Sequence, residues 1–439
     1  MKSLKMLLRF AIVGGLILLL LIPLMMIRGV INEREAYRDE AYQRVAQSRA
    51  GQQTLTGPIR VVPWTETRLV DVVDAAGVTK KETRVEQGYW LQMPRSLHVD
   101  GAMQPDERRI GLFRVPVYSW KAKIRAEFTE DDYPAVDGRV YRSPYLMVGI
   151  ADVRGLVGSP DLRVDGKAVQ LLPDAGNVKG IDSGLHAELE GFADERSGVL
   201  KPATIALDLV LDGTRSLAVV PVGDDSQIAL RSPWPHPSFA GSFLPNQRSV
   251  DEKGFSAQWA VSSLASQAQT QLRNGNGNAT ETISVELVNP VDVYTQADRA
   301  SKYGILFIVL TFVGFILFEL IKHLRIHPLQ YLMVGLALAI FFLLLLSLSE
   351  HIAFWQAYLV SALACIGIQS VYLSGVLHSW KRGLGFAVML SALYGALYGL
   401  LISENNALLM GSLLLFAVLA TVMWVTRKVD WYELGASLK

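Results

Sequence analysis

From Ser301 to Val425 the chain reads as long apolar runs broken by short polar hinges. Five runs stand out, Tyr303 to Ile321, Leu329 to Leu348, Ile352 to Leu377, Leu384 to Ile402 and Ala407 to Val425. Each is close to or above the roughly 20 apolar residues that a helix needs to cross a hydrocarbon core about 30 Å thick. In such a core every backbone polar group must be satisfied within its own segment, so the expected form is helical. A sixth run, Leu7 to Ile27, stands near the N-terminus behind Lys2, Lys5 and Arg9. The sequence at its end, LMMIRGVINERE, offers no small-residue cleavage site, so the run reads as an uncleaved signal anchor.

The hinges carry charge in alternation. Lys322 and Arg325 follow the second span, Lys381 and Arg382 the fourth, Arg427 and Lys428 the sixth, whereas Ser349 to His351 and Ser403 to Asn406 contain no Lys or Arg. Cationic short loops stay on the cytoplasmic side. That rule places both termini in the cytoplasm and the stretch between the first two spans outside. The aromatic residues Tyr303 and Trp355 then fall at the outer boundary, and Tyr331, Trp380, Trp431 and Tyr432 at the inner one, as amphipathic rings prefer. The chain is expected to be an α+β membrane protein with six spans in total. It comprises an N-terminal signal-anchor helix (1–27), a helical stalk (28–53), a large β-rich external domain (54–302), a C-terminal five-helix transmembrane bundle (303–425) and a cytoplasmic tail (426–439).

The external stretch changes pattern along its length. Ala36, Tyr37, Ala41, Tyr42 and Val45 recur at helical spacing in a charged, proline-free segment, which predicts the stalk. From Thr54 onward β-branched residues alternate with Gly and Pro punctuation. Strand-like runs recur at Thr83 to Met93, Ile110 to Phe128, Tyr145 to Val153, Leu162 to Leu172, Thr204 to Leu211, Leu217 to Val222, Phe255 to Ser262 and Thr282 to Val293. Asp-Gly turn signals at Asp137, Asp165 and Asp212 predict antiparallel hairpins, hence a sandwich or a pair of sheets. The segment Gln271 to Thr282 has the flexible Gly and Asn composition of an open loop, and the proline-rich Arg231 to Arg248 reads as a packed irregular connector.

Composition adds two exclusions. The 51% hydrophobic content averages a membrane part and a soluble part, so the net charge of +1 says little about partners. No basic patch with interleaved aromatics points to nucleic acid, and the bilayer is the evident partner. The single Cys365 lies inside a span, so the external domain must be held by a core without disulfides.

Candidate chemistry is sparse. Nucleophile-elbow, phosphate-loop, H-E-x-x-H and C-x-x-C motifs are missing, which argues against an enzyme and implies no cofactor. His323 and His327 have i, i+4 spacing, but Pro328 pulls His327 out of helical geometry, so a metal site is not expected. Glu319 with Lys322 reads as an interfacial ion pair, the alternative being a proton relay. Glu350, His351, Glu404, Asn405 and Asn406 come from the two uncharged hinges. They read as solvated tips that could meet in an outer-rim polar cluster. Ser391, Gly395 and Gly399 form a small-residue stripe suited to helix packing within the bundle, and Gln369 and Ser370 invite hydrogen bonds between helices.

The stretch from Arg299 through SLSEHIAFWQAY, with SWKRGLGF, SENNALLMGSLLLF and RKVDWY, resembles the CreD family of bacterial inner-membrane proteins. Upstream, LTGPIRVVPW, FRVPVYSWKAKI, FLPNQRSVDEKGFSAQWAVSSLA and LVNPVDVYTQADRA resemble the external-domain signatures of the same family. The resemblance implies a Gram-negative inner membrane, a periplasmic domain and expression linked to the CreB/CreC two-component system. It also implies a role in envelope integrity and in responses to β-lactams or colicins, and brings no catalytic residues. Three readings follow: a non-enzymatic maintenance protein whose periplasmic domain binds an envelope protein or a peptidoglycan-related ligand, a transporter or lipid-handling bundle, and an enzyme on envelope precursors at the outer rim. Oligomeric state is not legible.

Overall fold

The structure is a computed structural model of the 439-residue chain and describes residues 2–73, 79–194, 198–277, 280–288, 293–322, 326–376, 379–402 and 407–427. The chain divides into two compact units, residues 39–290, and residues 1–38 with 291–439.

The helical unit takes its apolar runs as helices. Helix α1 (Lys2–Ser48) merges the anchor and stalk segments into one uninterrupted helix despite Pro23. In the β-rich unit a short α2 (Ala268–Arg273) lies between strands. The chain then returns to the helical unit through α3 (Val293–Lys302), α4 (Gly304–Lys322), α5 (Pro328–Ser349), α6 (Phe354–Val376), α7 (Trp380–Ile402) and α8 (Ala407–Thr426). Among the described residues, α1 from Ala11, α5, α6 and α7 are long and apolar enough to cross a membrane, and α3 with α4 makes a pair bent by 44° that adds a fifth candidate. The apolar part of α8, Leu409–Trp424, is shorter.

Where these helices meet, small residues let backbones approach. A Cβ on Gly335 of α5 would stand 2.1 Å from a methyl of Leu20 on α1, and one on Gly314 of α4 would stand 2.5 Å from the Met389 sulfur on α7. Leu20, Leu24, Ile27 and Ile31 make the buried stripe of α1, while Leu18, Ile22, Met25 and Met26 on its other side are exposed, as on a lipid-facing helix.

The β-rich unit holds two large sheets over one contiguous core. The first has nine described strands. Its main path is ordered Leu172–Pro173, Gly184–Glu188, Tyr145–Ile150, Gln53–Val73, Ser216–Val220, Ile283–Leu287, Pro237–Gly241, and Thr79–Gln92 and Arg139–Tyr141 also pair with Gln53–Val73. The second has eight, ordered Gln247–Asp251, Gly254–Ser262, Asp225–Ser232, Ser96–Ile110, Phe113–Phe128, Ala203–Thr214, Asp161–Val164, Lys167–Ala168. Its strands alternate buried and exposed positions, so one face meets the core and the other meets water.

Hairpins dominate, as the turn signals imply, but Gln53–Val73 pairs parallel with Ser216–Val220, and Asp225–Ser232 pairs parallel with Ser96–Ile110. The Asp165-Gly166 turn is present, with positive φ at both residues. The turn expected at Asp212 is not. Asp212 and Gly213 lie inside the strand Ala203–Thr214, and the chain turns at Arg215, whose φ is 68°. Gly213 is there for space. A Cβ would stand 2.3 Å from the hydroxyl of buried Tyr118, which donates to the Ser216 carbonyl at 2.7 Å.

Two other expectations are corrected. The Arg231 to Arg248 connector contains the strand Pro237–Gly241, which closes onto Ile283–Leu287 because its backbone groups find partners there. In the Gln271 to Thr282 stretch the described residues on either side of 278–279 are tied down. Thr280 donates to the Asn276 and Gly277 carbonyls, and the Gln271 side chain accepts the Glu281 N–H. The acceptor-type Asn278 lies outside the described residues.

One hairpin is unsupported at its far end. Gln53–Val73 and Thr79–Gln92 stay paired from Arg60–Gln92 to Val73–Thr79, yet past Glu66 no third described strand joins them, and Arg68 faces Arg84.

Gly213→Ala is expected to destabilise the full chain by about 1–3 kcal/mol, since the Tyr118 ring is buried and hydrogen-bonded and cannot move aside. Gly51→Ala, where an added Cβ makes only an ordinary contact at 3.8 Å and φ is not left-handed, gives the baseline for thermal unfolding followed by far-ultraviolet circular dichroism.

Candidate functional site

Of the expected outer-rim residues, Glu350 is the one that the described structure ties to other helices. Glu350 caps the C-terminal end of α5, where the helix dipole disfavours a carboxylate. Arg34 of α1 offsets this from 3.5 Å, and the Tyr294 hydroxyl of α3 donates to the same oxygen at 3.2 Å. The Glu350 side chain is 7% exposed. Nearby on the same elements, Arg28 of α1 donates to the Ser301 hydroxyl at 3.4 Å, and Lys302 pairs with Asp298. Glu350 thus fastens α1 and α3 to the end of α5. His351 does not join it, because its ring turns back to the Ser347 carbonyl on α5, 3.1 Å away. Glu404, Asn405 and Asn406 lie outside the described residues, as do the side chains of Glu319 and Lys322, so neither the far half of the rim nor the interfacial pair is described.

His327 has a structural task. Its ring accepts the Leu329 N–H at 3.2 Å, and the Gln330 side chain accepts the His327 N–H at 2.9 Å, which caps the start of α5 behind Pro328. Its former candidate partner, His323, lies outside the described residues. In α7, Ser391 bonds the Ala387 carbonyl of its own helix, a Cβ on Gly395 would meet nothing within 4 Å, and one on Gly399 would meet Met410 at an ordinary 3.7 Å. The tight approaches of α7 fall elsewhere, at Met389 against Gly314 and at Gly383 against Ser374.

Inside the bundle, α6 and α7 are joined by the Tyr358 hydroxyl, which donates to the Tyr394 carbonyl at 2.7 Å within a cluster of edge-on rings from Phe307, Phe341 and Tyr394. The interhelical bonds expected of Gln369 and Ser370 are not made. Ser370 bonds Ile366 of its own helix, and Gln369, 2% exposed, has no partner within the described chain for either amide atom. The Ser361 hydroxyl of α6 shares that condition, whereas the Tyr394 side chain meets the Cys365 thiol.

The β-rich unit has its own polar centre, which the sequence did not signal. It forms where α1 ends. Arg154 donates to the Gln47 carbonyl at 2.9 Å and the Ala46 carbonyl at 3.4 Å, satisfying acceptors that a helix end leaves open. Asp152 holds Arg154 through both carboxylate oxygens and accepts the Gly51 N–H. Arg49 binds Asp212 twice, and the Gln53 amide donates to the carbonyls of Asp152 and Asp212. The Arg154 guanidinium, followed by the N–H groups of Gly51 and Arg154, brings the Asp152 carboxyl from 3.8 down to about 2. Only the folded chain makes those bonds, so their stability is present above about pH 4 and lost as pH falls through about 2.

Two further buried charges stiffen the unit. Glu66 is held by Arg139 and Arg68, the Arg139 bond doing most to keep its carboxyl below the usual range, and Arg139 stacks on Trp64 at 3.9 Å. Arg60 is fully buried over the Phe128 ring, bonded to the Gln92 side chain and the Lys201 carbonyl, and burial brings its guanidinium down to about 10. Among the described residues no group of His, Cys, Asp and Glu side chains could hold a metal ion. The arrangements found are fastenings, not constellations of nucleophile and base.

Comparison with known proteins fits this picture of a membrane protein. The family profile described as "Inner membrane protein CreD" matches residues 5–432. A relative named Inner membrane protein CreD, from Escherichia coli (strain K12), is 40% identical over 429 residues, which covers 95% of this chain and 92% of the relative. Among solved structures, a substrate-bound mutant of an M1 zinc metallopeptidase from Deinococcus radiodurans matches with a TM-score of 0.20 and 11% identity over 48% of this chain and 54% of that one. The same organism's M1 zinc metallopeptidase in another crystal structure gives 0.19 and 12% over 44% and 43%. Likeness at that level carries no argument about fold or activity.

Two outcomes test the fastenings. In detergent, Arg34→Ala is expected to cost more stability than Glu350→Gln, by about 1–2 kcal/mol, because the first strands a buried carboxylate while the second removes the charge itself; equal losses in thermal unfolding would contradict the pairing. Asp152→Asn is expected to lower stability at neutral pH by about 1–2 kcal/mol and to flatten the part of the acid destabilisation that falls between pH 4 and 2, measured as melting temperature against pH.

Proposed function

This chain belongs to the CreD family of inner membrane proteins, and from that premise we propose a six-span protein whose termini face the cytoplasm and whose β-rich unit lies in the periplasm. The orientation is supported by Lys381 and Arg382 at the start of α7, while the cations at the other end of the helical unit are already occupied, Arg34 by Glu350 and Arg28 by Ser301. In this reading the β-rich unit binds an envelope component or partner protein, the helices anchor it, and the protein preserves envelope integrity under β-lactam and related stress without catalysing a reaction.

One observation carries the choice. Glu350 is the described acidic residue of the outer rim, and it is consumed in joining α1, α3 and α5 rather than presented to a solute. That favours binding by the β-rich unit over a path through the bundle. A second reading, a transporter or lipid-handling bundle, draws on the unpartnered Ser361 and Gln369 groups of α6, since buried polar atoms in a membrane span mark solute or proton routes.

The test is complementation of a deletion strain under β-lactam challenge. The β-rich unit on a foreign single-span anchor is expected to restore survival; failure to do so, together with loss of function in Gln369→Leu at normal protein levels, would move the activity into the bundle. A photoreactive residue at Pro235 is expected to trap a discrete envelope component rather than lipid alone.

A further inference from the structure

The water-facing side of the second sheet carries a trough. Two recesses, of about 600 and 670 Å³, lie end to end on the same five strands, from Gln247–Asp251 to Phe113–Phe128. Successive same-face rows run Gln227, His98, Arg125, then Ala229, Asp100, Lys123, then Arg231, Ala102, Lys121, then Gln104, Ser119. Rows two residues apart in a strand are separated by about 6.8 Å, so four rows span roughly 20 Å along the strands.

The floor is made of Ala102, Ala229 and Ala260. Alanine is a poor strand former, and exposed mid-sheet positions ordinarily take β-branched or aromatic residues that cover their neighbours. Three alanines on this face therefore keep space open at a cost in strand stability. The walls are polar, and while Asn246, Gln227 and Arg231 are bonded to neighbours, two amides are unengaged. Gln247 and Gln258 face each other across neighbouring strands, and neither amide is bonded within the described chain.

The charges are uneven in a way that selects a ligand. Asp100 is taken by Arg231 at 3.1 Å, and Lys123 sits between Asp100 and Asp208 in the ladder. Lys121 instead lies between Ala102 and Val210, and Arg125 between His98 and Ala206, so neither has a carboxylate beside it on either flanking strand. Both are exposed, and neither forms an ion pair among the described residues. These are two single cations about 13.6 Å apart along one strand, with free amides opposite and small residues between.

We propose that this trough binds an extended, carboxylated glycan chain, the amides taking sugar hydroxyls and Lys121 and Arg125 each taking one carboxylate. Isolated cations without a helix N-terminus or a fork of arginines suit carboxylates spaced along a chain better than phosphates, which clustered donors hold. The proposal rests on the reading that the β-rich unit is the binding part, and it names both the surface and the ligand class.

The experiment uses the full chain in detergent and three probes of similar length: an oligogalacturonate, a neutral dextran oligosaccharide and a single-stranded oligonucleotide. The oligogalacturonate is expected to bind at least ten-fold more tightly than either other probe. It is expected to lose ten-fold or more in Lys121→Ser/Arg125→Ser and in Ala229→Phe, which fills the floor without changing charge. Arg163→Ser, at an exposed ion pair outside the trough, is expected to leave binding unchanged, and melting temperatures check that each variant is folded. The proposal is overturned if no glycan binds, if the oligonucleotide binds as well as the glycan, or if Ala229→Phe has no effect while the charge variant does. A protein adduct from the Pro235 photoprobe alongside any of those results would overturn the trough alone and leave the binding role of the unit standing; no adduct and failed complementation would overturn the role itself.

Discussion

A helix of 47 residues that begins in apolar sequence and ends against a β-sheet core has to be stopped, and the interactions that stop it govern what surrounds them. At the end of α1 the last carbonyls are taken by Arg154, Arg154 is fixed by Asp152, and Asp152 is fixed in turn by the Gly51 N–H. The same few residues then launch the strand Gln53–Val73, whose first residue threads its amide between the Asp152 and Asp212 carbonyls. Because Gln53–Val73 is the strand that binds four others in the first sheet, the place where α1 terminates sets the register from which that sheet is built.

A second theme is how charge is tolerated in apolar surroundings. Glu350, Glu66 and Arg60 are all buried, and the chain handles them differently. Glu66 and Glu350 keep a guanidinium beside them, while Arg60 is bonded to neutral oxygens over the face of Phe128, with the Asp165 carboxylate as its more distant counter-charge. Pairing a buried charge rarely adds much net stability, but it fixes which elements can sit together. The three residues accordingly sit at junctions: α1 with α3 and α5, the long hairpin with Arg139–Tyr141, and Gln53–Val73 with the segment at Lys201.

Much of this was legible in sequence where the signal is local. Apolar runs became helices because length and composition suffice, and Asp165-Gly166 became a hairpin because both residues accept positive φ. Asp212-Gly213 misled for the opposite reason. There glycine answers to the Tyr118 ring across the sheet, a constraint that no neighbouring residue announces. The strands Ser96–Ile110 and Asp225–Ser232 were missed because charged and small residues on the water face dilute their pattern, and their parallel pairing is long-range. For the candidate site, the hinge residue Glu350 could be picked out by its type and place, but its partners Arg34 and Tyr294 could not, since only the packing of α1 and α3 brings them in. The Asp152–Arg154 helix end gave no sequence signal, because Arg154 looks like any exposed loop arginine.

The ribbon formed by Gln53–Val73 and Thr79–Gln92 has a consequence of another kind. Past Thr67 no third segment is bonded to these rungs among the described residues, and two like charges, Arg68 and Arg84, stand opposite each other. Rungs of that sort can part from the tip inward while Trp64, Arg139 and the core below stay as they are. Amide protons along the arm would then trade with solvent through fraying, on a clock independent of the one that governs the sheet it grows from.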